Sequence, residues 1–283
     1  MTTYPKRIKA LRSEVIRAVP RVPNDKHALV HMEGMHTRQL ILAFVTWRMR
    51  MIPAKPRTVK FWPAGIGPHY PRMRQALRDF VAKVSAGDDL NPFLSLGVNT
   101  RGYIVPGQGA ARDDRDMVLT RMGLHHFHIG ARSASNPTGR SDHLVFAEVT
   151  ADDFIVVALS DHNAFRMGSP ESLHFCRICQ SYIGRNVPPG QGYMLNPGMS
   201  SGHSMTVSLF SLKCEDEMQR LDPLLDDPAF IDKLYNGHPT DQDGQPVGRP
   251  SKPSFKWHFD DLRFGILEQK TLVFFCIFPF FTR

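Results

Sequence analysis

The sequence predicts an α+β protein in which N-terminal basic helices pack with a central antiparallel sheet, followed by a C-terminal α+β region. Three observations lead there. Apolar residues recur at helical spacing through much of residues 6–86. Two strand-like runs, "HLVFAEV" (143–149) and "FIVVALSDH" (154–162), flank the tight turn Thr150-Ala151-Asp152-Asp153, and the chain closes on the strand-like "TLVFFCIFPFF".

Residues 6–19 place Ile8, Leu11, Val15, Ile16 and Val19 on one helical face, and Pro20 and Pro23 end the helix. A second helix is expected from Glu33 to Ile52, where Leu40, Ile41, Phe44, Val45 and Trp47 form a wide apolar face up to Pro53 and Pro56. The stretch "AKPRTVKFWPAGIGPHYPR" reads as an irregular connection, rich in Pro, Gly, aromatic and basic residues. A third helix over 70–86 carries Met73, Leu77, Phe80, Val81 and Val84 and stops at Gly87, and "DDLNPFLS" follows as a turn or short helix.

A further helix from Arg112 to Met122 leads into "GLHHFHIG" (123–130), and the hairpin comes next. Ser169 and Pro170 suit the cap and first position of a helix reaching Ile183, with Leu173, Cys176, Cys179 and Ile183 as its apolar stripe. After the Pro/Gly-rich 186–203, the sequence predicts a strand over Met205–Leu212, acidic helical pieces to Asn236, and a final strand pair. The expected organisation is a basic helical region (1–110), an α+β core (111–185), a linker (186–203) and a C-terminal strand/helix region (204–283).

At 283 residues and 42% hydrophobic composition the chain can bury a substantial core. No apolar run approaches the roughly 20 residues that cross a bilayer, and "MTTYPKRIKALRSEV" is too polar for a secretory leader. Four scattered cysteines do not make a disulfide framework. The expectation is a cytoplasmic protein without a membrane partner.

Net charge is +8, but residues 1–83 hold 17 Lys+Arg against 4 Asp+Glu, leaving 18 against 23 for the remainder. A local positive field attracts polyanions, of which nucleic acid is the commonest in a cytoplasm. Arg48, Arg50, Lys55, Arg57, Lys60, Trp62, Arg72 and Arg74 are the candidate contacts, because cations meet phosphates and rings stack on bases. The rings Phe61, Trp62 and Tyr70 serve equally well to pin the connection to the core.

Histidine titrates near neutrality and binds metals as the neutral imidazole, so three in four positions form a candidate site. On a strand, His126 and His128 project together while His125 and Phe127 project the other way. If the following strands pair as a meander, His162 at the end of the third approaches them. Three readings are open. Two histidines act as general base and acid on a phosphodiester, with Arg132, Arg140 or Arg121 stabilising the transition state and the 2′-hydroxyl as nucleophile. Alternatively, His126 and His128, with His162, Asp161 or His143, ligate a transition metal in a facial arrangement. In the third reading they are strand-end histidines bonded to backbone. Cys176-Arg-Ile-Cys179 has the spacing of a metal knuckle but lies on a helical apolar stripe, and Asp260-Asp261 near His258 offers a second polar cluster.

The run "MVLTRMGLHHFHIGARSASNPTGRSDHLVFAEVTADDFIVVALSDHNAF" resembles the core of the RelE-like toxins, small ribonucleases of the barnase/EndoU/RelE fold group. The likeness lies in the order of elements, helix and then three strands bearing histidines, over some 50–70 residues. It implies His126, His128 and His162 as acid/base residues and Arg132 or Arg140 as phosphate ligands. The loop "ARSASNPTGRSD" is longer than in that family, and its usual strand arginines have no certain counterpart. "FVTWRMRMIPAKPRTV", "AGDDLNPFLS" and the "HHFHIG" block also resemble stretches of uncharacterised bacterial proteins, which implies no function. The resulting expectation is a metal-independent endoribonuclease of toxin or phage-defence type, with RNA as substrate, no cofactor, and an antitoxin or other protein partner at the C-terminal region. The alternatives are a metal-dependent enzyme on the same histidines and a non-catalytic nucleic-acid or protein-interaction module.

Overall fold

The computed structural model describes residues 4–67, 69–95, 97–98, 100–105, 116–130, 141–199, 202–240 and 244–280. Its helices are α1 (Lys6–Ala18), α2 (Lys26–Gly34), α3 (Thr37–Arg48), α4 (Tyr70–Ala86), α5 (Met117–Met122), α6 (Pro170–Ile183), α7 (Met205–Leu221) and α8 (Pro228–Tyr235). Its strands are β1 (Arg21–Val22), β2 (Thr58–Phe61), β3 (Tyr103–Ile104), β4 (His125–His128), β5 (Leu144–Val149), β6 (Asp153–Ser160), β7 (Phe255–Asp260), β8 (Arg263–Glu268) and β9 (Phe274–Pro279). The class is α+β. The chain forms two compact units, one of Met1–Met49, Arg101–Ala111 and Met205–Arg283, the other of Arg50–Thr100 and Arg112–Ser204.

In the first unit, α1 packs on β7 of the antiparallel sheet β7-β8-β9, and α3 packs on α7. The N-terminal helices α1 and α3 therefore share a core with the C-terminal sheet, where the sequence suggested the central one. The reason is the apolar stripe of α1, whose Ile8, Leu11, Val15 and Ile16 meet Phe255, Trp257, Phe264 and Ile266 in one buried cluster. Trp257 is fully buried and donates its indole N–H to Asp222 at 2.8 Å, which satisfies the one polar atom its ring carries inside. This packing also corrects the segment 205–212, expected as a strand. Its Val207, Phe210, Ser211, Cys214 and Met218 bury at helical spacing in α7.

The second unit is built on one sheet in the order β2-β6-β5-β4. Strands β4, β5 and β6 form the expected antiparallel meander, with the turn at Thr150 joining β5 to β6. Strand β2 lies inside the stretch expected to be irregular and pairs parallel with β6, Thr58 opposite Asp153 through Phe61 opposite Val156, so the central sheet is mixed. One face buries Phe127, Val145, Phe154 and Val156 against Met73, Leu77, Phe80 and Val84 of α4. The other buries Leu144, Phe146, Val157 and Ala158 against Phe175, Ile178, Cys179 and Tyr182 of α6. A sheet covered on both faces explains why β5 reads as a continuous apolar run.

Gly87 ends α4 in the left-handed region, at φ 84°, and any Cβ there would sit 2.6 Å from Pro56. Ser169 caps α6 as expected, accepting from Ser172 N, but the buried stripe is shifted: Phe175, Ile178 and Tyr182 face inward, Leu173 is exposed and Cys176 half-buried. Of the expected helix 33–52, Thr37–Arg48 form α3, Glu33 and Gly34 close the separate helix α2, and residues 49–52 lie beyond the helix end. Of the expected helix 112–122, residues 117–122 form α5 and 112–115 lie outside the described residues.

Candidate active site

Strand β4 is the edge of the second unit's sheet, and short-range signals place it there. Asp116 caps α5, its Oδ1 accepting from Val118 N at 3.1 Å and Leu119 N at 3.0 Å. About two turns later Gly123, at φ 72°, ends the helix and turns the chain into β4. The register sets His126 opposite Phe146 and His128 opposite Leu144, which in turn lies opposite Ser160.

This meander brings the three candidate histidines together. The rings of His126 and His128 are 5.7 Å apart between centroids, and His128 and His162 are 5.1 Å apart. His162 opens a short 3₁₀ turn, His162–Phe165, directly after β6, which Asp161 caps by accepting from Asn163 N at 2.8 Å. His125 shares the opposite face with Phe127, ring centroids 6.2 Å apart. The environments differ in a way that matters chemically: His128 is buried, the His126 side chain is 12% exposed, and the His162 side chain is 48% exposed beside the exposed Asp142.

Both nitrogens of His126 are occupied. Nδ1 stands 2.8 Å from Asp116 Oδ2, a close approach that is poorly aligned as a hydrogen bond, and Nε2 lies 2.9 Å from Ser95 Oγ. Burial works to raise the Asp116 pKa, but His126, the backbone N–H of Leu119 and the charge of His125 outweigh it and hold the carboxyl below its ordinary value. A carboxylate kept ionised against Nδ1 favours the proton there and leaves Nε2 as the lone-pair nitrogen facing a hydroxyl. Phe165, partly exposed, packs edge-on against His126 at 5.3 Å and lies 6.3 Å from His162, forming an apolar wall along the cluster. Neither Asp116 nor Ser95 was singled out in the sequence, where each is a lone residue outside any recognisable spacing.

The remaining candidates are dispersed. Arg132 and Arg140 lie outside the described residues, and Arg121 is exposed at the end of α5. Among the basic candidates, Arg48 belongs to the first unit and pairs with Asp261 at 2.6 Å. Arg50 and Arg57 are buried, the latter donating to the carbonyls of Pro53, Lys55 and Thr150. Lys55 and Lys60 pair with Asp152 at 3.5 Å and Asp153 at 2.7 Å, and Trp62 donates to Ser181 at 3.2 Å while packing on Tyr182. Arg72 and Arg74 stand exposed on α4. The 17 basic residues of 1–83 are thus shared, nine in the first unit and eight in the second.

Among the described residues no group of three or more His, Cys, Asp or Glu is arranged to hold a metal ion. Burial, with the neighbouring Cys176, pushes the Cys179 thiol up to about 12, the reverse of the thiolate a metal knuckle requires. Asp260 and Asp261 pair with Arg263 and Arg48, and His258 stands 3.7 Å from Glu14, so that cluster is spent on ion pairs. No family model, curated protein or solved structure matches the chain.

Proposed function

We propose that the second unit is a metal-independent endoribonuclease that cleaves RNA by histidine general acid/base catalysis. The observation that carries the reading is the convergence of His126 and His128 of the edge strand with His162, which follows the inner strand β6, at graded exposure. His126, its Nδ1 turned to Asp116, is the base that takes the 2′-hydroxyl proton at Nε2. His162, the open ring, is the acid that protonates the leaving 5′-oxygen, and the buried His128 spaces the two rings. Arg132 and Arg140, which flank the loop beside these strands in the sequence, are the phosphate contacts of this reading, and the exposed Arg72 and Arg74 add backbone contacts.

The resemblance to RelE-like toxins supports a toxin or phage-defence role in the cytoplasm, with an antitoxin or other protein partner engaging the C-terminal region. The test is incubation of the full chain with RNA in excess chelator. The reading requires products ending in 2′,3′-cyclic phosphate, and their loss in His126→Ala and His162→Ala. Cleavage that stops on chelation, or persists in both variants, overturns it.

A further inference from the structure

The hydroxyl that His126 Nε2 meets in the structure is that of Ser95. His126 lies between Ser95 Oγ, 2.9 Å from Nε2, and the Asp116 carboxylate, 2.8 Å from Nδ1 though poorly aligned as a hydrogen bond, and the carboxylate is fixed by the α5 backbone N–H groups. They come from three separate elements: the turn after Asn91–Phe93, strand β4, and the cap of α5. A hydroxyl, an imidazole and an ionised carboxylate in this order are the parts of an activated oxygen nucleophile. Ser95 is half-buried, and beside His126 the ring of Phe165 presents an apolar, partly exposed face.

We propose that Ser95 is a nucleophile and that this site hydrolyses small esters bearing an apolar acyl group through a covalent Ser95 adduct. As Ser95 Oγ bonds to the ester carbonyl carbon, its proton passes to His126 Nε2 and the carbonyl oxygen becomes an anion. Collapse of that intermediate breaks the bond to the alcohol oxygen, which leaves with the proton from His126. Water then gives a proton to His126 and bonds to the acyl carbon, and Ser95 Oγ departs with that proton, so that ester and water yield acid and alcohol. Asp116 is a positioning residue: it holds the His126 tautomer and stabilises the imidazolium formed in each half-reaction. Phe165 lines the path of the acyl chain. The proposal shares with the nuclease reading the assignment of His126 as base, and does not require RNA.

The test treats the full chain with an alkyl fluorophosphonate, whose phosphorus accepts the serine oxygen as fluoride leaves, and follows hydrolysis of p-nitrophenyl butyrate. The expected result is one adduct per chain, located on Ser95 by peptide mass spectrometry. It is absent in Ser95→Ala and forms at least about 100-fold more slowly in His126→Ala. Asp116→Asn slows it and displaces its pH profile, and Asp116→Glu restores part of the rate, which a residue that merely supports the fold does not do. No adduct on the folded unmodified chain, an adduct on another residue, or full ester hydrolysis by Ser95→Ala overturns the proposal. RNA cleavage measured on the same samples separates the two readings. An adduct without RNA cleavage upholds this proposal alone, and RNA cleavage without an adduct overturns it alone.

Discussion

The carboxylate of Asp116 does two things at once: one oxygen caps α5 and the other stands 2.8 Å from His126 Nδ1. A helix start and a candidate catalytic ring are therefore fixed by one side chain. Asparagine caps as well as aspartate does, so Asp116→Asn separates the charge from the cap. Asp116 has a folded pKa below its unfolded value near 3.9, so its contribution is present above about pH 4 and is lost as pH falls through the lower folded value. Urea unfolding at pH 7 is expected to show Asp116→Asn less stable by about 1–3 kcal/mol, with the difference shrinking as the pH is lowered below about 4. A difference independent of pH means that the charge of Asp116 contributes nothing.

His162 is the open member of the cluster, and its ion-pair partner Asp142 is itself exposed, so its replacement removes chiefly the ring contact with His128. On the nuclease reading, His162→Ala lowers RNA cleavage by about 100-fold or more while shifting the thermal midpoint little. Single-turnover cleavage beside a melting curve checks both halves. Equal loss of stability and activity places His162 among packing residues.

Arg72 and Arg74 are exposed on α4, whereas Arg57 is buried and bonded to backbone carbonyls. Replacing both exposed arginines with glutamine is expected to weaken RNA binding at any sequence. The slope of log affinity against log salt is expected to become shallower by about one for each arginine that had neutralised a phosphate. Filter binding over a salt series reads it. Arg57→Gln is expected instead to destabilise the fold.

The four thiols differ in reach. Burial drives the thiols of Cys179, Cys214 and Cys276 upward, but Cys179 and Cys214 are buried whereas Cys276 is exposed. A disulfide exchange reagent at pH 8 is expected to modify Cys276 first and Cys176 next, and to reach Cys179 and Cys214 only on unfolding. Peptide mapping after a short pulse decides this, and early labelling of Cys179 contradicts the α6 packing.

Phe146 is fully buried at the centre of β5, against Phe175 at 4.2 Å and Phe165 at 5.7 Å between ring centroids. Phe146→Ala is expected to cost about 3–5 kcal/mol in denaturant titration. It also removes the floor under Phe165 and His126, so any surviving activity is expected to fall further than in a core variant on the α4 face such as Phe80→Ala.

Where local chemistry decided the structure, the sequence was readable. The α4 stop at Gly87, the Ser169-Pro170 start of α6 and the Thr150 turn each satisfy backbone groups within a few residues, and each lies where expected. The convergence of His126, His128 and His162 followed from strand alternation and a meander. Strand β2 escaped because four residues, three of them exposed, show no alternation, and parallel pairing with β6 comes from nearly a hundred positions away. Residues 205–212 read as β because Met205, Val207 and Leu209 fall at every second position, until burial of Phe210 and Cys214 against a distant core selected the helix. Asp116 and Ser95 carried no signal, since their meaning lies only in what the edge strand brings beside them.

The first unit is assembled from Met1–Met49, Arg101–Ala111 and Met205–Arg283, while every residue of the second precedes position 205. During synthesis the second unit can close while the partner surface of α1 and α3 has not yet been made. At about 5–20 residues per second, the apolar faces of those helices wait roughly ten to fifty seconds for α7 and β7 to emerge. The order of translation thus places the histidine site in a folded unit before the other core exists, and leaves the N-terminal helices as the segment most in need of a chaperone.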